Sequence, residues 1–210
     1  MKNLLPLFIL TMLAACNQKP SSSSSSPVPE QTVIHDSSLL KKEATNPYVA
    51  VDKSPMDMAY FPADFPVKKM DGKVSGLPVA RVIYSRPHRG GRKLFGALVQ
   101  WGQPWRLGAN EATEIELFQP VTIQQKKVEA GRYILYAVPY FDHWEIAFNK
   151  DLYSWGLKPN PKDDAAVFAA PATAAAQPVE YFTMAFEKTA AGADLLMAWE
   201  NTEVRLPLQF

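Results

Sequence analysis

Five side chains that carry or can gain positive charge, Arg86, His88, Arg89, Arg92 and Lys93, fall within eight residues around Gly90 and Gly91. Guanidinium groups beside a backbone freed by glycine suit a phosphate or a carboxylate. The competing reading is a solvated hairpin tip, and the weight falls there for all but Arg86. That arginine directly follows a β-rich run and precedes Pro87, which fixes its exit direction.

Further on stands Trp105-Arg106-Leu107-Gly108-Ala109-Asn110-Glu111-Ala112-Thr113. Thr113, Ile115 and Leu117 alternate with Glu114 and Glu116, the period of a half-buried strand. Continued backwards, that parity puts Glu111 on the inward face, where a lone carboxylate is costly unless paired; Arg106 and Arg86 are the nearest partners. Two readings stay open. Arg86, Trp105, Arg106, Asn110 and Glu111, beside Trp101 and with Trp155 of a Gly156-bearing loop, suit a small polar ligand such as a sugar. The same residues suit a buried Arg106/Glu111 clamp in a structural or protein-interaction module. A hydrolase or lyase acting on envelope sugars, with Glu111 as acid or base and Arg106 setting its protonation, is the catalytic alternative. Most glycosidases use two carboxylates, and only one is well placed here.

Other chemistries lack their residues. His35, His88 and His143 are far apart and none has a second ligand at turn or helical spacing, so no metal site is expected. No phosphate loop, dinucleotide fingerprint or nucleophile elbow is present, and no cofactor is expected. Lys and Arg number 22 against 21 for Asp and Glu, so no overall field recruits nucleic acid. The single cysteine leaves the folded part without a disulfide. Oligomeric state is open.

The elements that must position these residues are short strands. Residues 56–61, 79–84, 113–117, 121–123, 132–138 and 144–148 read as strands, with 132–138 apolar on both faces as in a covered central strand. Residues 62–66 and Asp71-Gly72 read as turns, and 149–164 as a long connection. Phe182, Met184 and Phe186 alternate again; Leu195, Met197 and Trp199 precede a turn at 200–202 and a last strand through Val204, Leu206 and Leu208. The Ala-rich 169–176, flanked by Pro171 and Pro178, reads as loop or a short edge strand. Trp144 and Trp199 read as core. The fold expected is all-β, a single antiparallel β-sandwich or jelly-roll-like domain over residues 46–210.

The N-terminus reads as an address. Lys2, an apolar run to Met12 and Leu13-Ala14-Ala15-Cys16 lay out a lipoprotein signal over residues 1–15, with Cys16 as the lipidated residue. Residues 16–45, including Ser21 to Ser26 and an idle His35, read as a flexible Ser/Pro-rich tether to a membrane. Asn17 in place of an aspartate, and no acidic run after Cys16, point by analogy with lipoprotein sorting to the periplasmic face of a bacterial outer membrane.

Tyr84-Ser85-Arg86-Pro87, Gly91-Arg92-Lys93-Leu94-Phe95-Gly96, the Trp105 to Thr113 run, Ala130-Gly131-Arg132-Tyr133 and Trp199-Glu200-Asn201-Thr202 resemble, in order, the bacterial domain of unknown function 2911 family. Asn149-Lys150-Asp151 and Trp155-Gly156 also fit its pattern, while Leu107 stands where a small polar residue is common. The resemblance covers residues 54–210 and implies a secreted or lipid-anchored envelope protein; it brings no activity or ligand with it.

Overall fold

The computed structural model describes residue 48 and residues 52–210. The signal segment, Cys16 and the tether with His35 lie outside the described residues.

Alternation places most strands where expected. β1 (Met56–Phe61), β2 (Ala80–Ser85), β3 (Thr113–Leu117) and β4 (Val121–Ile123) are followed by β5 (Lys126–Val128), β6 (Gly131–Pro139) and β7 (His143–Asn149), then by two long strands, β8 (Asp164–Lys188) and β9 (Gly192–Gln209). All pair antiparallel in one nine-stranded sheet, ordered β1-β2-β3-β6-β7-β8-β9-β4-β5. The fold is therefore all-β, as expected. Thr113, Ile115 and Leu117 are buried, and Glu114 and Glu116 face outward, where they pair with Arg132 and Arg81 on the flanking strands. Tyr133 to Ala137 of β6 are buried without a break, which explains their lack of alternation. Trp144 and Trp199 are core residues, 0 % and 1 % exposed.

Some short elements escaped the sequence. The supposed turn after β1 contains α1 (Phe65–Met70), one short helix with Pro66 in its first turn and a single buried residue, Phe65. A helix this brief shows no periodicity. β5 escaped because the β4–β5 hairpin turns on Gln124 and Gln125, both at positive φ (47° and 65°), without the Asn-Gly pair that normally marks such a turn.

The long strands bring the larger corrections. Residues 169–176 are neither loop nor edge but the middle of β8: Trp144, Glu145 and Ile146 of β7 face Ala170, Ala169 and Phe168. Pro178 is tolerated because the β8–β9 register skips between Ala174 and Val179, so no ladder N–H is needed there. Opposite that skip, the turn expected at 200–202 is a bend inside β9, with Glu200 at φ 56°. A straight strand of that length would span about 60 Å. Instead the amide of Phe210, just past the end of β9, donates to the carbonyl of Ala191, just before its start, at 3.2 Å. The β8–β9 hairpin is thus bent double, and its tip packs on the first strands, with Phe186 against Phe61 (6.3 Å between ring centres) and the Tyr84 hydroxyl donating to the Met184 carbonyl (3.1 Å).

Between β2 and β3 the chain makes a long excursion, 86–112, whose Leu94, Phe95, Val99 and Leu107 are buried in the common core. Its basic segment is no free hairpin tip. Arg89 N donates to Glu180 O (2.8 Å) and Phe182 N to Pro87 O (3.1 Å), where the β8 register skips again between Val179 and Thr183. Backbone groups that β9 leaves unpaired are satisfied by the excursion.

Candidate functional site

The turn that carries Asn110 and Glu111 is set by buried hydroxyls. Leu107 and Asn110 take positive φ (55° and 59°). The fully buried Thr113 donates to Leu107 O (2.6 Å), and the fully buried Ser85 donates to Ala109 O. This turn ends the strand parity before it reaches Glu111, so Glu111 is exposed and not inward. Glu111 forms no ion pair with Arg106 or Arg86. The buried Arg106/Glu111 clamp is thereby excluded. Leu107 is 0 % exposed and belongs to the core.

Trp105 enters the core as a bridge. Its backbone exchanges hydrogen bonds with Ala137 (2.7 and 2.8 Å), and its ring stacks on Trp199 (5.8 Å, 17°) and meets Phe182, Trp144 and Phe95 edge-on. Trp105 and Trp199 both line an open cleft of about 410 Å³. Arg92, Arg106, Gln100 and Gln103 also line it. Among the described residues no carboxylate is in its lining. Partial burial pulls the Arg106 guanidinium below its ordinary value and the Glu111 charge opposes this; an arginine so placed stays charged at neutral pH.

One wall of the cleft is a loop. Gly156 and Leu157 line it, and Trp155, 53 % exposed, lies just behind, its carbonyl accepting from Arg106 Nη1 (3.3 Å) and its ring under the same guanidinium (5.5 Å). Gly156, at φ 75°, lets the loop lie this close: a Cβ there would stand 3.0 Å from Arg106 Cβ and 2.7 Å from Ala112 Cβ. Asn149, 1 % exposed, pins both ends of the loop by donating to Asn160 O (2.9 Å) and Asp164 Oδ1 (2.7 Å) while accepting from Asp151 N (2.8 Å). The Asn149-Lys150-Asp151 motif is a latch for the wall.

The residues singled out from sequence separate accordingly. Trp105 and Arg106 share the cleft, and Trp155 braces Arg106 from behind. Asn110 bonds the Asp52 carboxylate and Ser54 O, holding the incoming chain so that Ser54 joins the lining. Arg86 lies elsewhere, paired with Asp57 (3.1 Å) and donating to Thr183 Oγ1 (3.3 Å). Gln100 and Gln103 carry no sequence signal, and Arg92 is singled out only as part of the basic segment, where the weight falls on a solvated tip. The signal for Arg92 was present in the glycine-flanked basic segment, but nothing local distinguished it from its neighbours.

No curated protein matches this chain, and no solved structure does either. The family model described as "Protein of unknown function (DUF2911)" matches residues 66–208, more than half of the chain and nearly the whole sheet, and the chain belongs to that family.

Proposed function

We propose that the protein binds a small polar, saccharide-like ligand without transforming it, in the cleft walled by Trp105, while held to the bacterial envelope through lipid on Cys16. The observation that supports binding is the composition of the lining: indole surface for the flat apolar face of a sugar, with guanidinium and amide groups for its hydroxyls. Among the described residues the lining holds no pair of carboxylates, the usual equipment of a glycosidase, and this favours binding over hydrolysis.

Two tryptophans in the lining make indole fluorescence the readout. A panel of neutral and acidic sugars should contain members that change it saturably and are recovered chemically intact. Arg106→Gln should weaken their binding roughly 10- to 100-fold, the loss of about 1.5–3 kcal/mol for a charged hydrogen bond. If no sugar binds, or if the bound sugar is cleaved, the reading fails.

The anchoring reading rests on the Leu13-Ala14-Ala15-Cys16 pattern. Cys16→Ser should move the protein from the membrane fraction to the soluble fraction of fractionated cells. Continued sedimentation with membranes in the variant would refute lipid attachment at Cys16.

A further inference from the structure

We infer that the cleft continues past Arg92 into a second depression, and that together they form a groove for a carboxylate-bearing oligosaccharide, not a pocket for one neutral sugar. This rests on the saccharide reading of the cleft.

The second depression, about 590 Å³, is lined by Lys53, Ser54, His88, Gly90, Arg92 and Tyr181. Ser54 and Arg92 line both depressions, so the two adjoin. Each falls within the roughly 300–1,000 Å³ of ordinary ligand sites, and together they exceed what one sugar ring fills.

Charge supplies the ligand class. The chain has seven arginines, and five of them are ion-paired: Arg81 with Glu116, Arg86 with Asp57, Arg89 with Glu200, Arg132 with Glu114, and Arg205 with Glu187 and Glu203. Among the described residues the other two, Arg92 and Arg106, have no carboxylate at ion-pair distance, and both line the cleft. Arg92 is nonetheless held in place, because Nε donates to Arg89 O (2.8 Å) and Nη2 to His88 O. Carbonyl partners fix a guanidinium without neutralising it. Lys53 likewise lacks a carboxylate among the described residues. His88 adds little, since its Nε2 lies 2.9 Å from Glu180 Oε1. Among the described residues no Asp or Glu is in either lining, although the Glu180 carboxylate also accepts from the amide of Gly90, a lining residue of the second depression (2.8 Å). Three cations, Arg106, Arg92 and Lys53, thus border a groove that also offers the Gln100 and Gln103 amides and the half-exposed Tyr181 ring, which stacks on His88 (4.6 Å). A saccharide with carboxylates along its chain matches these groups, with hydroxyls for the amides and carboxylates for the cations.

The test is calorimetric titration of the full chain with galacturonic acid, trigalacturonic acid and neutral maltotriose. The acidic trimer should bind at least tenfold tighter than the acidic monomer and than maltotriose, and should weaken as salt is raised. Lys53→Gln and Arg92→Gln should each weaken the trimer about tenfold and narrow its advantage over maltotriose; thermal melting of each variant verifies its fold. Equal affinity for acidic monomer and trimer overturns the groove. Maltotriose binding as tightly as trigalacturonic acid overturns the charge assignment while the saccharide reading stands. Binding of none of the three, with sugars of the wider panel still bound, overturns the groove alone; failure of every sugar removes the saccharide reading as well.

Discussion

Trp105→Ala is expected to cost about 3 kcal/mol of stability and to lower the melting temperature by roughly 6–12 °C, because large-to-small changes at buried aromatic positions cost about 3–5 kcal/mol and a domain of this size moves about 2–4 °C per kcal/mol. The lower end applies because the ring is only partly buried. It is nevertheless the hub of the aromatic cluster, 5.0 Å from Phe182, 5.5 Å from Trp144, 5.8 Å from Trp199 and 6.1 Å from Phe95 between ring centres. Removing it opens a void that the bridge to Ala137 prevents from collapsing, since the backbone stays paired there. Trp105→Phe should recover part of the loss. A change of melting temperature within about 2 °C for the alanine variant would show that this indole does not join the excursion 86–112 to the sheet.

Gly192→Ala tests the bent hairpin. A Cβ at Gly192 would stand 2.1 Å from the Leu208 carbonyl oxygen, a backbone atom that cannot turn aside. Gly192 opens β9 and Leu208 nearly closes it, so the contact exists only if the strand returns on itself. Overpacking costs about 1–3 kcal/mol and at times more; with both partners in backbone, at least about 3 kcal/mol is expected in a chemical denaturation titration. Gly72→Ala is the comparison. Gly72 sits at φ 69°, a left-handed position with open space around it, so about 1 kcal/mol of backbone strain is all it should show. Equal losses in the two variants would mean that β9 does not bring its ends together.

Strand content was legible because a half-buried strand writes its geometry into its residues. Ile115 and Leu117 alternate with Glu114 and Glu116 since successive side chains leave opposite faces, and no other chain geometry needs that period. The same rule misled where local geometry broke it. The parity of β3, extended backwards, puts Glu111 inward, but Asn110 at φ 59° resets the direction of the chain. β8 runs through Ala169 to Ala176 although small residues and prolines give no alternation, since β7 pairs with it as far as Pro171 and β9 pairs with Ala172 to Ala174.

By itself, the sequence determined that this is an all-β chain, that Trp144 and Trp199 go inside, and that chemistry worth examining lies between Tyr84 and Leu117. These follow from composition and short-range period, which need only neighbouring residues. The tertiary structure decided which arginines remain available. Arg86, Arg89 and Arg92 are near neighbours in one basic segment, yet Asp57 takes the first, Glu200 takes the second, and the third is left facing the cleft. A charge is neutralised by whatever lies within a few ångströms of it, and Asp57 and Glu200 reach that distance only because β1 pairs with β2 and the β8–β9 hairpin folds back over them.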